Sequence, residues 1–289
     1  MEVLLQRNRR RLLQALSVLP IMALSHTVYA NRKSFRFGMT PAFLHNQHAL
    51  LEQWRYYMTR NLGIKVEFSQ RDSYRETMDL IRLNQLDFAW LCDYPYLNLK
   101  HLVRLLAVPV YRGQPLYYSY LIVHKDNSNI NQLIDLKGKL FAYADPYSNS
   151  GYLVPRYQIH KLKLDPDNFF SKTFFTWSHK KVIEAVAGRL AHGGAVDSFV
   201  WDTLVNVAPE LTAQTRIIWK SPGFGFPPIV AQMNNVNDDD FNTMQTLLLE
   251  MSNNRKGRQL LTQLNIDGFS IQSPELYDGV SDMMKVLGL

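Results

Sequence analysis

Apolar and polar positions along the chain follow two periods. Segments with apolar β-branched or aromatic enrichment read as strands, and stretches with apolar residues three and four apart read as helices. The pattern predicts a strand at Phe35–Met39 and a helix over 47–62 with Leu50, Leu51, Trp54, Tyr57 and Met58 on one side. A strand at Ile64–Phe68, a helix over 73–84, a strand at Asp87–Leu91 and a helix over 94–101 follow. Extended segments near 103–111 and 118–124 lead to a strand at Leu140–Ala144 and a helix over about 151–161. Next come a strand at Thr173–Thr176, a helix over 178–190, a strand over 194–199 and a helix over 200–208. Strands near 216–220 and 229–233 precede three helices, roughly 238–252, 255–264 and 274–287. Such alternation argues an α/β architecture with mostly parallel sheets.

Two Gly/Pro-rich breaks separate extended segments: Tyr111-Arg112-Gly113-Gln114-Pro115 and Ser221-Pro222-Gly223-Phe224-Gly225-Phe226-Pro227-Pro228. A chain that leaves one lobe near 115 and returns near 225 forms two lobes with a cleft between them. The expected division is 31–115 with 225–289 as lobe one and 116–224 as lobe two. Ligands of open α/β sheets bind outside the carboxyl ends of the strands, so loops there would face the cleft.

The first thirty residues stand apart from this pattern. Arg7, Arg9, Arg10 and Arg11 precede a mostly apolar stretch, Leu12 to Leu24, and Val28-Tyr29-Ala30 supplies small residues for a signal peptidase. That stretch rises only about 20 Å as helix, short of the ~30 Å bilayer core, so it reads as a cleaved secretory signal. The run Asn8-Arg9-Arg10-Arg11-Leu12-Leu13-Gln14 also resembles a twin-arginine export signal. Removing residues 1–30 takes away four arginines and one glutamate, so the formal charge of +7 falls by three. The basicity left is mild and scattered, which excludes a nucleic-acid tract. No cysteine lies near the cleavage point, which excludes lipid attachment there, and the expected location is the periplasm. One cysteine in the whole chain also excludes an intramolecular disulfide and any multi-cysteine metal site.

Candidate chemistry gathers at four places. Ala144-Asp145-Pro146-Tyr147-Ser148-Asn149-Ser150-Gly151-Tyr152-Leu153-Val154-Pro155 follows a strand and opens a helix. Ser148, Asn149 and Ser150 offer two hydroxyls and an amide, Gly151 permits close approach, and free N–H groups at a helix start bind anions. The same residues serve equally as an N-cap. Ser178-His179-Lys180-Lys181 opens a second helix, with Val182, Val186 and Leu190 following on one face and His179 as a donor to an anion or a capping residue. Cys92 ends the strand of Asp87-Phe88-Ala89-Trp90-Leu91-Cys92-Asp93-Tyr94-Pro95-Tyr96, as a small buried hydrophobe or a soft thiolate ligand, with Tyr94 in the turn beyond. Asp197 ends the strand of Gly194-Ala195-Val196-Asp197-Ser198, to accept a hydrogen from a ligand or to cap the next helix.

Catalytic signatures are lacking. There is no nucleophile elbow, P-loop or dinucleotide fingerprint, and His45 and His48 lack the glutamate and third ligand of a zinc protease. Asp238-Asp239-Asp240 reads as a solvated helix start. The sequence implies no metal, no cofactor and no enzyme, leaving a hydrolase built on Cys92 as the distant alternative.

Five segments in order, D-F-A-W-L-C-D-Y-P-Y, A-D-P-Y-S-N-S-G-Y-L-V-P, the W-S-H helix opening, A-V-D-S and K-S-P-G-F-G-F-P-P-I-V, resemble the PhnD-type periplasmic phosphate/phosphite/phosphonate-binding proteins over roughly 35–270. The resemblance implies a two-lobed type II periplasmic-binding-protein fold with hinge strands and an inter-lobe cleft. It implies a monomer that captures a small tetrahedral oxyanion by hinge closure and hands it to the permease and ATPase of an ABC importer. By motif position, Ser148, Asn149 and Ser150 would hold the oxyanion, His179 and Tyr74 (in Asp72-Ser73-Tyr74) would contact it, and Asp197 would be a polar contact. Asn149 departs from the hydroxyl residue common in the middle of the family's motif. Lys180 stands where some phosphonate binders carry an acid that pairs with a ligand amine. Some relatives instead sense oxyanions such as arsenite for a histidine kinase, with a pocket cysteine, and Cys92 keeps that alternative open.

Overall fold

The computed structural model describes residues 34–41 and 48–289. The signal-like segment, His45 and the start of the first predicted helix lie outside the described residues.

Two sheets organise the chain. The first contains β1 (Ser34–Met39), β2 (Lys65–Gln70), β3 (Phe88–Trp90), β4 (Val103–Val110), β12 (Ile229–Gln232) and β13 (Gly268–Ser270), in the order β13-β4-β12-β3-β1-β2. The second contains β6 (Ser119–His124), β7 (Leu140–Tyr143), β8 (Lys172–Phe175), β9 (Gly193–Asp197) and β10 (Thr215–Lys220), in the order β10-β6-β9-β7-β8. A short ribbon, β5 (Leu116–Tyr117) against β11 (Phe224–Gly225), joins the two crossovers side by side.

The sheets are mixed, which corrects the expectation of mostly parallel pairing. Parallel pairing is confined to β2-β1-β3 in one lobe and β8-β7-β9 in the other. β12 runs antiparallel to both β3 and β4, and β6 runs antiparallel to β9 and β10. The cause is connectivity. Both β12 and β6 enter their sheet directly from the other lobe, with no crossover helix to bring them in parallel.

Each parallel trio feeds helices. In lobe one β1 leads to α1 (His48–Leu62), β2 to α2 (Tyr74–Arg82) and β3 to α3 (Asp93–Leu99). In lobe two β7 leads through a π-helical turn (Asn149–Leu153) to α4 (Val154–Lys161), β8 to α5 (His179–Ala187) and β9 to α6 (Ser198–Val207). A short α7 (Pro209–Thr212) precedes β10, and α8 (Asp238–Leu249), α9 (Arg255–Leu264) and α10 (Asp278–Val286) complete the chain.

Period-two alternation places the second sheet between two apolar layers. Phe141 and Tyr143 join Leu121, Val123, Ile159, Phe169 and Phe170 on one face. Ala142 and Ala144 join Ile122, Val182, Ile183 and Val186 on the other. The first lobe buries an aromatic core in which Trp54 meets Phe37 and Trp90 edge-on at 5.7 Å.

Several boundaries move for local reasons. The strand expected over 194–199 ends at Asp197, because the Asp197 carboxylate accepts the Phe199 amide at 2.7 Å and starts α6 there. α5 ends at Ala187, so Leu190 lies beyond it and is exposed, while Val182 and Val186 are buried. The three aspartates 238–240 do form the first turn of α8, capped by Asn237, which accepts the Asp240 amide at 2.8 Å.

Gly194 sets the spacing between β9 and α5, since a Cβ there would run into Val182 Cγ1. Gly194→Ala is therefore expected to push α5 off the sheet and cost about 1–3 kcal/mol, read as a lower urea midpoint with unchanged slope.

Candidate functional site

Among the described residues, five segments at the carboxyl ends of the two parallel trios meet between the lobes. Lobe one supplies Tyr74 after β2 and Cys92 with Asp93 after β3. Lobe two supplies Asp145–Gly151 after β7, His179 after β8 and Asp197 at the end of β9. Tyr74, Cys92, Asp93, Asp145, Ser148, Asn149, Ser150, His179 and Asp197 are all buried.

Each position follows from local chemistry. Ser73 caps α2 by accepting the Glu76 amide at 3.3 Å, which puts Tyr74 on its first turn. Ser148 Oγ accepts the Gly151 amide at 2.9 Å, and Pro155 at the start of α4 leaves the preceding turn in π geometry. Gly151 fits because a Cβ would lie 2.5 Å from Ala144 Cβ and 3.0 Å from both His179 Cε1 and Ser148 Oγ. Trp177 takes a left-handed φ of 62°, a costly conformation for a bulky residue, immediately before Ser178 and His179. Ser178 occupies the N-cap position of α5 without a side-chain cap bond.

Hydrogen bonds across the cleft draw the lobes together. The Tyr74 amide donates to Asp145 Oδ2 at 3.1 Å, and Tyr74 Oη lies 3.3 Å from His179 Nε2. Asn149 Nδ2 donates to Asp93 Oδ2 at 2.7 Å and to Tyr117 Oη on the ribbon at 3.0 Å, while Tyr117 itself donates to Asp93 at 2.8 Å. Asp93 also accepts from Cys92 Sγ at 2.9 Å and from the Tyr94 amide at 3.2 Å.

Protonation states follow from burial. The Asp197 amide donates to His179 Nδ1 at 3.1 Å, so the ring hydrogen sits on Nε2 and faces Tyr74 Oη, with Ser148 Oγ at 3.5 Å. Burial lowers His179 to about 3, leaving it neutral. The same burial raises Asp93 to about 6, with its hydrogen bonds opposing the rise, and pushes Asp197 well up. The Cys92 thiol is also pushed well up, first by burial and then by the Asp93 charge, so it is a thiol and not a thiolate. Among the described residues no Lys or Arg is buried. Lys180, adjacent to His179, is exposed and pairs with Glu184 at 3.3 Å. An anion placed here would meet helix starts, hydroxyls and N–H groups and no full positive charge.

Two polar atoms in this cluster, Asn149 Oδ1 and Ser150 Oγ, are buried without a hydrogen-bonding partner in the protein. Buried polar groups are nearly always satisfied, so such a pair beside a helix start makes this cluster the candidate ligand site.

The structure brings together Tyr74, Cys92, Ser148, Asn149, Ser150, His179 and Asp197. Tyr94 goes elsewhere: its ring packs against Tyr147 at 5.9 Å and joins Leu153, Val154, Val280, Met283 and Met284 beside α10. Asp93, Asp145 and Tyr117 belong to the cluster without having been singled out. Asp93 and Asp145 stand in the motifs already noted, whereas Tyr117 lies in a two-residue strand too short to leave a pattern. Among the described residues no group of three His, Cys, Asp or Glu side chains is placed to hold a metal ion, and no helix is long and apolar enough to cross a membrane.

A two-lobed α/β body whose strand ends converge on a buried polar cleft is the architecture of a solute-binding protein. Residues 37–277 match the family described as "ABC transporter, phosphonate, periplasmic substrate-binding protein", and the chain belongs to that family. It is 32% identical over 215 residues to the phosphonates-binding periplasmic protein of Escherichia coli (strain K12), a match spanning 70% of this chain and 62% of that protein's length. Its fold resembles a binding protein component of an ABC phosphonate transporter from Pseudomonas aeruginosa, with TM-score 0.80, 25% identity and coverage of 88% of this chain and 86% of the other. It also resembles PhnD1 from Prochlorococcus marinus (MIT 9301), solved in complex with methylphosphonate, with TM-score 0.80, 19% identity and coverage of 89% and 99%. The fold is the two-lobed periplasmic-binding-protein fold.

Protonation of His179 gives a signed pH dependence. Between pH 6.5 and about 3 the unfolded chain binds a proton at His179 that the folded chain does not, so acidification removes stability. Asp93 acts oppositely: between 3.8 and about 6 the folded carboxyl keeps a proton that the unfolded one loses. His179→Gln deletes the first effect alone. From pH 6.5 to about 5, wild type should lose about 2 kcal/mol more than the variant in urea unfolding, and equal losses would assign the proton elsewhere.

Proposed function

We propose that this protein captures a small tetrahedral phosphorus oxyanion, of phosphonate, phosphite or phosphate type, between its lobes and presents it to the membrane components of an ABC importer. The observation that carries the reading is the buried, unpartnered Ser150 Oγ with Asn149 Oδ1 at the start of the turn leading into α4. A phosphorus oxyanion there would accept from Ser150, from Ser148 (whose hydroxyl hydrogen is free while its oxygen caps Gly151) and from Tyr74 Oη, whose oxygen is taken by His179 Nε2–H. Asp197 would be a polar contact of the ligand, and Cys92 would border the site as a neutral thiol. A thiol held protonated by burial weighs against both a thiolate ligand for arsenite and a nucleophile for hydrolysis.

In this reading closure is the whole mechanism, with no covalent chemistry. Residues 31–115 with 225–289 move as one body against 116–224, and the β5–β11 ribbon flexes between them. Cross-lobe bonds from Tyr74 to Asp145 and from Asn149 to Asp93 form as the cleft shuts. Residues 1–30 act as a secretory signal, cleaved after Ala30, that delivers the protein to the periplasm.

Calorimetric titration of the purified protein with phosphate, phosphite, methylphosphonate, sulfate and arsenite tests the reading. Micromolar or tighter binding of a phosphorus anion is expected, unchanged by Cys92→Ser and weakened about tenfold or more by Ser150→Ala. Failure to bind any phosphorus anion overturns it. Arsenite binding abolished by Cys92→Ser would make the protein a sensor.

A further inference from the structure

The proposed anion site contains one group that a bare anion cannot satisfy. Asn149 commits its amide nitrogen to the protein, donating to Asp93 Oδ2 at 2.7 Å and to Tyr117 Oη at 3.0 Å. Asp93 gathers these donors together with Cys92 Sγ and the Tyr94 amide, so turning the Asn149 amide over would set its carbonyl oxygen against an acceptor. The orientation is thereby fixed. The other arm of the same amide, Oδ1, is buried without a partner in the protein, and a carbonyl oxygen only accepts. An oxyanion oxygen carrying no hydrogen would be repelled there, whereas a P–OH would be bound.

We propose that Asn149 Oδ1 accepts a hydrogen borne by the ligand, so that the cleft selects a singly protonated tetrahedral oxyanion and refuses a fully deprotonated one such as sulfate. This rests on the oxyanion reading above. Asn149 is the specificity-determining residue and Asp93 its positioning residue. The charge balance agrees. The site has no buried Lys or Arg and a neutral His179, so only the partial charge of helix starts and neutral donors faces the anion, which favours the less charged form. Ser150 Oγ is a hydroxyl that can donate or accept, so it adapts to either anion and does not discriminate.

The test compares methylphosphonate with sulfate, a tetrahedral anion without a hydrogen at neutral pH, by calorimetry on wild type, Asn149→Thr and Asn149→Ser. Wild type is expected to prefer methylphosphonate by about a hundredfold or more. Both variants replace the acceptor with a hydroxyl that can donate, and should cut the preference by about tenfold or more, with sulfate affinity rising in absolute terms. General damage to the pocket would weaken both ligands together and cannot strengthen sulfate. Having Ser as well as Thr keeps the test open if the β-branched residue does not fold. Comparable sulfate and methylphosphonate affinities in wild type, or an unchanged preference in variants that still bind, overturn the inference while leaving the oxyanion reading standing. If wild type binds neither, phosphite or phosphate takes the place of methylphosphonate in the comparison, and binding none of these overturns both.

Discussion

The cleft depends on one constraint: the carboxyl ends of β2-β1-β3 and of β8-β7-β9 face each other, and among the described residues the segments after β2, β3, β7, β8 and β9 each open a helix or a helical turn. Helix starts bring unsatisfied N–H groups and partial positive charge, so the backbone itself can favour an anion in the cleft. No lysine or arginine is needed inside it, and among the described residues none is buried. The interior can then afford buried carboxylates as structural acceptors. Asp145 takes the amides of Tyr74 and Tyr147, Asp197 takes that of Phe199, and Asp93 ties lobe one, the ribbon and lobe two together.

Legibility of this arrangement in the sequence divides along physical lines. Helices and strands with clear periodicity were readable to within a few residues, because a one-sided apolar stripe such as Leu50, Leu51, Trp54, Tyr57 and Met58 has one good burial solution. Sheet direction was not readable. Nothing in Ile229–Gln232 distinguishes a strand that arrives from the other lobe from one that arrives through a crossover helix. The ribbon strands β5 and β11 are two residues each, below any periodic signal.

The site shows the same division. Ser148, Asn149, Ser150, His179 and Asp197 stood out because helix starts after strands have recognisable residue types. Asp93 and Tyr117 matter through partners distant in sequence, 56 residues for Asp93 with Asn149 and 32 for Tyr117 with Asn149. No local pattern encodes such a pairing. Tyr94 shows the converse: it adjoins the cluster in sequence, but the first turn of α3 carries its ring round to α10 and away from Asp93.

Closure without a ligand would be poorly rewarded by this design. Shutting the cleft strips water from Asp93, Asp197 and His179, which their displaced pKa values record as a cost of burial. It also leaves Asn149 Oδ1 and Ser150 Oγ unpaired, each a desolvation penalty of order 1–3 kcal/mol. The cross-lobe hydrogen bonds return only a modest net gain each, since water satisfies the same groups in an open cleft. A ligand that pairs those two oxygens removes the penalty in the closed form alone, and differential interaction with one of two states is what shifts a population. In the proposed reading, the same unsatisfied atoms that would hold the ligand would also make the closed state conditional on occupancy.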